Sequence, residues 1–289
     1  MNDFREITWK SPEGLRLFAR EWGDAAAPRL PVVCIPGLTR SSRDFEEVAP
    51  LIAATGRRVI AVDLRGRGLS EWDSEPARYK PATYAADVVA LLDQLALPRA
   101  HFVGTSLGGI VTMTLASRHL GRIAGAVLND VGPVVASEGL KRIATYAGRP
   151  QVVQSWADAV AYARRTNGVA FPDNTDADWE LFAKRLFRED ANGIPVLACD
   201  SRVFRPLPSF LVWLLSPLSW FLFRKLANGT PTLLVRGALS DILDAPTVAR
   251  MRAQAPSMEY VEVDRVGHAP MLTEPAARAA FERRFTTAP

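Results

Sequence analysis

A chain of 289 residues, 48% of them hydrophobic and 23% charged, is long enough for one large α/β domain with a sizeable core and does not require two independent domains. Its net charge of +4 comes from arginines interleaved with acids, with no basic block of the kind that binds nucleic acid. Cys34 and Cys199 supply neither a disulfide framework nor metal-ligand spacing, and residues 1–20 carry charges every few positions instead of an apolar signal segment, so a cytoplasmic setting is expected.

In chain order, Phe4 to Trp9 and Leu15 to Trp22 are strand-like runs separated by the turn Ser11-Pro12-Glu13-Gly14, which reads as an antiparallel hairpin at a sheet edge. Pro31 to Pro36 is a continuous apolar strand that runs into the tight loop Pro36-Gly37-Leu38-Thr39-Arg40, and an amphipathic helix follows from about Asp44 to Ala54. Arg58 to Val62 is the next strand, ending in Asp63-Leu64-Arg65-Gly66-Arg67-Gly68-Leu69-Ser70. A helix over Thr83 to Leu95 then places Val88, Leu91, Leu92 and Leu95 on one face. Ala100 to Val103 is a short buried strand, Gly104-Thr105-Ser106-Leu107-Gly108-Gly109 a turn of small residues, and Ile110 to His119 a helix. Ile123 to Leu128 is again a strand. Strands alternating with helices predict a parallel, doubly wound sheet.

The next clear strand is Thr232 to Val235, so about a hundred residues separate neighbours in the pattern, far more than one crossover needs. This interval reads as a helical insertion. Ser155 with Asp158 and Thr175 with Asp178 resemble capping boxes, and Asn167-Gly168 is a helix stop. Trp156, Trp179, Trp213 and Trp220 lie within it, a density that suits a lid over an apolar pocket and equally the core of a small helical subdomain. Leu207 to Phe223 is strongly apolar, but Pro208, Pro217 and three serines interrupt it, so it reads as helices of the insertion instead of a membrane span. A helix over Ala245 to Ala255, a strand over Glu259 to Val263, the turn Val266-Gly267-His268-Ala269-Pro270 and a helix from about Thr273 to Phe285 complete the pattern.

The stretch around Ser106 is a nucleophile elbow: G-x-S-x-G between a strand and a helix forces the serine into a strained turn and exposes its hydroxyl at the carboxyl edge of the sheet. The helix that follows aims its free N–H groups at the same point, where an oxyanion would be stabilised. A serine hydroxyl is a weak nucleophile until an imidazole takes its proton, and the imidazole needs a carboxylate to fix its tautomer. Of the three histidines, His101 lies toward the opposite end of its strand and reads as a surface residue, while His119 is about 18 Å along the helix from Ser106. His268, just past a strand, is the candidate base. Asp241, Asp244 and Asp130 all satisfy the order serine, acid, histidine. Asp241 is favoured because it follows the Thr232 to Val235 strand in a loop at the sheet edge, whereas Asp244 precedes Ala245-Pro246 and reads as a helix cap.

Pro36-Gly37, Asp63 to Gly68, Gly104 to Gly109, Arg236 to Asp241 and Gly267-His268 together resemble the α/β-hydrolase fold superfamily, in particular the capped esterases, lactonases and meta-cleavage-product hydrolases. The resemblance implies an eight-stranded, mostly parallel sheet, a core of residues 1–131 and 230–289, and a helical cap of residues 132–229. It also implies a triad of Ser106, Asp241 and His268, and an oxyanion hole made by the backbone N–H groups of Leu38 and Leu107. Many relatives carry His-Gly where this chain has Pro36-Gly37, and the donor one residue later should survive the change. Arg65 and Arg67 read as loop-stabilising residues and not as a substrate clamp. No cofactor or metal is called for, and the expected partner is a small molecule, with neither nucleic acid nor a membrane. The implied reaction is hydrolysis of a small, largely apolar carboxylic ester or lactone through an acyl-enzyme. C–C bond hydrolysis of a diketone acid and ligand binding with little turnover are the alternatives.

Overall fold

The structure is a computed structural model that describes residues 4–147, 153–204 and 209–287, with the side chains of 209–213 left aside. Ten strands and nine α-helices follow one another in the described residues. The first part of the chain gives β1 (Arg5–Lys10), β2 (Arg16–Trp22), β3 (Val32–Ile35), α1 (Val48–Ala53), β4 (Val59–Asp63), α2 (Pro81–Gln94), β5 (Ala100–Thr105), α3 (Leu107–His119) and β6 (Ile123–Asn129). Between β6 and the next strand of the main sheet come α4 (Ser137–Tyr146), α5 (Trp156–Asn167), α6 (Asp176–Leu186), the short β7 (Phe187–Glu189) and β8 (Pro195–Leu197), and α7 (Ser209–Gly229). The chain closes with β9 (Thr232–Gly237), α8 (Ala245–Gln254), β10 (Glu259–Val263) and α9 (Pro275–Thr287).

Eight strands form one sheet in the order β1-β2-β4-β3-β5-β6-β9-β10. The β1–β2 and β2–β4 pairs are antiparallel and every pairing from β4 onward to β10 is parallel. The expected edge hairpin and doubly wound sheet are both present. Strands buried on two faces read as near-continuous apolar runs, and β3 is an example: Val33 and Ile35 join the core on one face, Val32 and Cys34 that on the other. The first core is covered by α2, α3 and α8, the second by α1 and α9. Chain order reverses at β3, which has β4 on one side and β5 on the other. In such sheets the crevice at the carboxyl ends of the strands flanking the reversal receives the ligand. The loops carrying Gly37 to Arg40 and Ser106 leave from there.

The interval 132–229 holds a small core of its own, in which Tyr162, Phe171, Trp179, Phe182 and Phe187 pack between α5 and α6. Thr175 and Asp178 close a full capping box, and Ser155 caps α5 through the Asp158 N–H. A β7–β8 hairpin sits among the helices expected there. The apolar stretch Leu207 to Phe223 departs from its reading as several helices: Leu207 and Pro208 lie outside the described residues, and α7 runs unbroken through Pro217. Proline removes one helical hydrogen bond but leaves the others, and packing supplies what propensity lacks. Trp220, Phe223, Leu226 and Ala227 of α7 join the core under α3, and Lys225 donates to the Ser117 carbonyl at 2.6 Å. Among the described residues, no helix is long and apolar enough to cross a membrane.

Candidate active site

Ser106 stands between β5 and α3 with φ 52° and ψ −115°, a backbone conformation that costs energy for any side chain and survives where its surroundings fix it. Its N–H donates to the Asn129 carbonyl of β6 at 2.9 Å. The flanking glycines are there for space: a Cβ on Gly104 would lie 2.5 Å from the Gly108 carbonyl, and one on Gly108 would run into the Ile35 carbonyl of β3. With no side chains between them, α3 lies directly on the sheet and the serine is thrust outward.

His268 Nε2 lies 2.8 Å from Ser106 Oγ, as its place past β10 suggested. Its Nδ1 faces Asp130, with 2.7 Å to Oδ2. The acid at the histidine is therefore Asp130 and not Asp241, a correction to the sequence reading. Asp130 immediately follows β6, the strand beside β5, and its positive φ of 54° turns the chain so that the fully buried carboxylate lies under the histidine loop. The Gly237 N–H donates to Oδ1 at 3.0 Å and the Ser240 hydroxyl to Oδ2 at 2.5 Å, so the buried carboxyl group is met by oriented donors. Ser240 Oγ in turn accepts from the N–H groups of Ile242 and Leu243 at 3.2 and 3.1 Å.

Asp241 is occupied elsewhere. Arg142 of α4 holds it in a two-pronged pair, Nε to Oδ2 at 2.6 Å and Nη2 to Oδ1 at 2.8 Å. Burial alone would raise the Asp241 carboxyl, but the hydrogen bonds and charge of Arg142 outweigh it and hold the carboxyl below its ordinary 3.8. Asp244 is the N-cap of α8, accepting from the Thr247 N–H at 2.8 Å. His119 is exposed at the end of α3. His101 is not at the surface as expected: β5 is a central strand, and the ring is buried edge-on against Phe285, 5.9 Å between centroids.

The loop Pro36 to Arg40 faces Ser106 from the end of β3, held by two buried groups, one at the end of β4 and one in the loop after it. Asp63 accepts from the Ser42 N–H at 2.7 Å, and Arg67 donates to the Leu38 carbonyl at 2.9 Å, to the Arg65 carbonyl at 2.7 Å and to the Tyr84 hydroxyl at 2.8 Å. Arg65 is fully buried with Asp87, Asp73 and Glu13 around it. Both arginines thus fasten loops, as read from the sequence. Leu107 opens α3, so its N–H lies in the first turn, where helical N–H groups find no carbonyl within the helix.

A cavity of about 270 Å³ opens over Ser106 and His268. Leu38, Arg40 and Met271 line it from the sheet side; Tyr146, Tyr162 and Phe182 line it from the 132–229 interval. Burial pushes the Tyr146 phenol up, partly offset by the Arg142 and Arg40 charges. The tryptophans that suggested a lid are placed otherwise: Trp179 and Trp220 are core residues and Trp156 donates to Glu189, while the Trp213 side chain is outside the described set. The histidine loop is itself tied to this interval, since the Gly267 N–H donates to the Ala170 carbonyl at 2.7 Å. Arg142, Ser240 and Arg40 escaped the sequence reading because each acts on a partner brought near by folding or by a turn of undetermined shape.

Residues 32–281 match the profile of the Alpha/beta hydrolase family. The chain is 35% identical to a 3-hydroxybutyrate-oligomer hydrolase of Cupriavidus necator over 96% of each chain. It is 28% identical to a 2-(acetamidomethylene)succinate hydrolase of Mesorhizobium japonicum over 80% of this chain and 79% of the relative. Among solved structures, an α/β hydrolase of Novosphingobium aromaticivorans superposes with a TM-score of 0.87 at 39% identity, covering 99% of both chains. With its reversed-order parallel sheet, its strained serine and these relatives, the chain belongs to the α/β-hydrolase family.

Proposed function

We propose that the protein is a serine hydrolase that cleaves short oligoesters of a hydroxy acid through an acyl-enzyme, with Ser106 as nucleophile, His268 as base and Asp130 as the acid that orients it. The observation that carries this reading is the unbroken chain from Ser106 Oγ to His268 Nε2 and from His268 Nδ1 to Asp130, at 2.8 and 2.7 Å. The buried carboxylate accepts the Nδ1–H, so Nε2 is left with its lone pair toward the serine hydroxyl. As Oγ attacks the ester carbonyl, its proton passes to Nε2. The carbonyl oxygen becomes an oxyanion held by the N–H groups of Leu38 and Leu107. Collapse breaks the ester C–O bond, and the leaving alkoxide takes the proton from Nε2. Water, deprotonated by the same nitrogen, then releases the acid and restores Ser106.

The substrate class is supported by the hydroxybutyrate-oligomer relative, similar over nearly the whole chain, and by a cavity whose lining mixes aromatic rings with polar groups. The part of 132–229 that precedes α7 acts in this reading as the cap, with α4, α5 and α6 forming the far wall over the serine, while α7 packs into the core under α3. The test is labelling with a fluorophosphonate followed by peptide mass spectrometry, together with hydrolysis of the 3-hydroxybutyrate dimer and trimer. One adduct on the Ser106 peptide, lost in Ser106→Ala along with several orders of magnitude of turnover, is expected. An adduct elsewhere with Ser106 unmodified would overturn the assignment, and failure to release 3-hydroxybutyrate would overturn the substrate class.

A further inference from the structure

Arg40 is the arginine that lines the cavity among the described residues, and it stands close to the nucleophile. A Cβ built on Gly37 would lie 3.3 Å from Arg40 Cγ and 3.7 Å from Ser106 Cβ, so the root of the arginine and the root of the serine flank the same point. The guanidinium is fixed from two sides. Asp44 takes one edge, with Nε to Oδ2 at 2.7 Å and Nη2 to Oδ1 at 2.6 Å, and Cζ lies over the Phe182 ring, 4.2 Å from its centroid. A guanidinium has two edges able to bind a carboxylate in two-pronged fashion, and Asp44 uses the one that includes Nε. The other edge, Nη1 with the second hydrogen of Nη2, has no protein acceptor among the described residues. It belongs to a cation already held by a carboxylate and an aromatic ring, which reduces the side-chain freedom lost on binding.

We propose that this free edge of Arg40 binds the terminal carboxylate of the substrate and makes the enzyme select acid-terminated oligoesters over neutral esters of the same skeleton. The inference rests on the hydrolase reading above. In an ester whose alcohol half is a 3-hydroxy acid, the carboxylate carbon lies four bonds from the scissile carbonyl carbon, about 5 Å when extended. That span suits a cation rooted beside the serine. The bond attacked is then the one that releases the carboxyl-terminal unit. Asp44 also lines the cavity and offsets the Arg40 charge, so the selection comes from the two directed N–H donors of the free edge, with Phe182 covering the guanidinium plane, and not from net charge.

The experiment compares kcat/KM for the 3-hydroxybutyrate dimer as the free acid and as its methyl ester, in the wild type and in Arg40→Gln and Arg40→Lys. The wild type should favour the free acid by about tenfold or more, and Arg40→Gln should bring the acid-to-ester ratio close to one, with Arg40→Lys intermediate. A ratio of variant to wild type on two substrates separates loss of the anchor from general damage near the nucleophile, which lowers both rates. If Arg40→Gln fails to fold, the wild type alone decides: 3-hydroxybutyrate should inhibit p-nitrophenyl butyrate hydrolysis competitively and its methyl ester should do so at least tenfold less well. A wild-type enzyme that hydrolyses the methyl ester as well as the acid and is not inhibited selectively overturns the role of Arg40 while leaving the serine hydrolase standing. An enzyme that hydrolyses neither form, yet is labelled at Ser106, overturns the hydroxy-acid substrate class and this inference with it.

Discussion

Asp130 and Asp241 leave neighbouring strands, and each carboxylate is fully committed, one to His268 and the other to Arg142. The two commitments predict opposite phenotypes. Asp130→Asn should cost on the order of 10⁴ in kcat, the size seen when a serine protease loses the same group, because the amide no longer fixes the histidine tautomer. Asp241→Asn should keep kcat within about tenfold and lower the thermal midpoint, since Arg142 loses the charged partner that fastens α4 to the loop after β9. Steady-state kinetics and thermal melts on both variants decide it, and a reversal of the two would return the acid's role to Asp241. Ser240→Ala adds a graded case, removing one donor from Asp130 while the Gly237 N–H stays, for an expected loss of roughly tenfold in kcat.

At the scale of elements, α4 is a wall of the cavity that is fastened to a loop of the sheet. Its first turn docks on the loop after β9, with the Gly139 N–H donating to the Asp241 carbonyl at 3.0 Å, and Arg142 clamps the Asp241 carboxylate one turn later. Gly139 is needed because a Cβ there would lie 2.5 Å from that carbonyl. The clamp has a defined pH window. Arg142 holds the folded carboxyl below its ordinary 3.8, so the contribution is fully present above that unfolded value and is lost as pH falls through the lower folded one. Amide hydrogen exchange of α4 in the wild type and in Arg142→Met should therefore differ by a constant factor from about pH 8 down to about pH 5, with the difference shrinking below about pH 4. A difference that disappeared already near pH 6 would mean another group controls the helix.

Across the whole molecule, the position of Ser106 depends on how closely α3 lies on β3 and β5. Gly108→Ala places a methyl group against the Ile35 carbonyl and should cost about 1–3 kcal/mol, a drop of several degrees in thermal midpoint for a chain of this size, with loss of turnover as the elbow shifts. Gly121→Ala is the control, since a Cβ there meets nothing within 4 Å. Equal thermal midpoints for the two variants would show that the helix has room to spare and that the elbow is held by something other than packing.

The amino-acid sequence by itself determined what depends on local pattern. The continuous apolar run Val32 to Ile35 reads as a buried strand, the G-x-S-x-G turn as an elbow presenting Ser106 outward, and Thr175 with Asp178 as the start of a helix, and each is so in the fold. Tertiary structure decided every pairing between distant residues of like chemistry. Three aspartates lie in the required order, and nothing local distinguishes the one beneath His268 from the one held by Arg142, which is 99 residues away along the chain. The same holds for His101, whose place in the chain suggested exposure until neighbouring strands enclosed it. It holds for the tryptophans of the 132–229 interval, whose number was visible but whose facing was not. Burial and ion pairing belong to the packed assembly of the elements, because a side chain's solvent and its counter-charge are both supplied by segments remote in sequence.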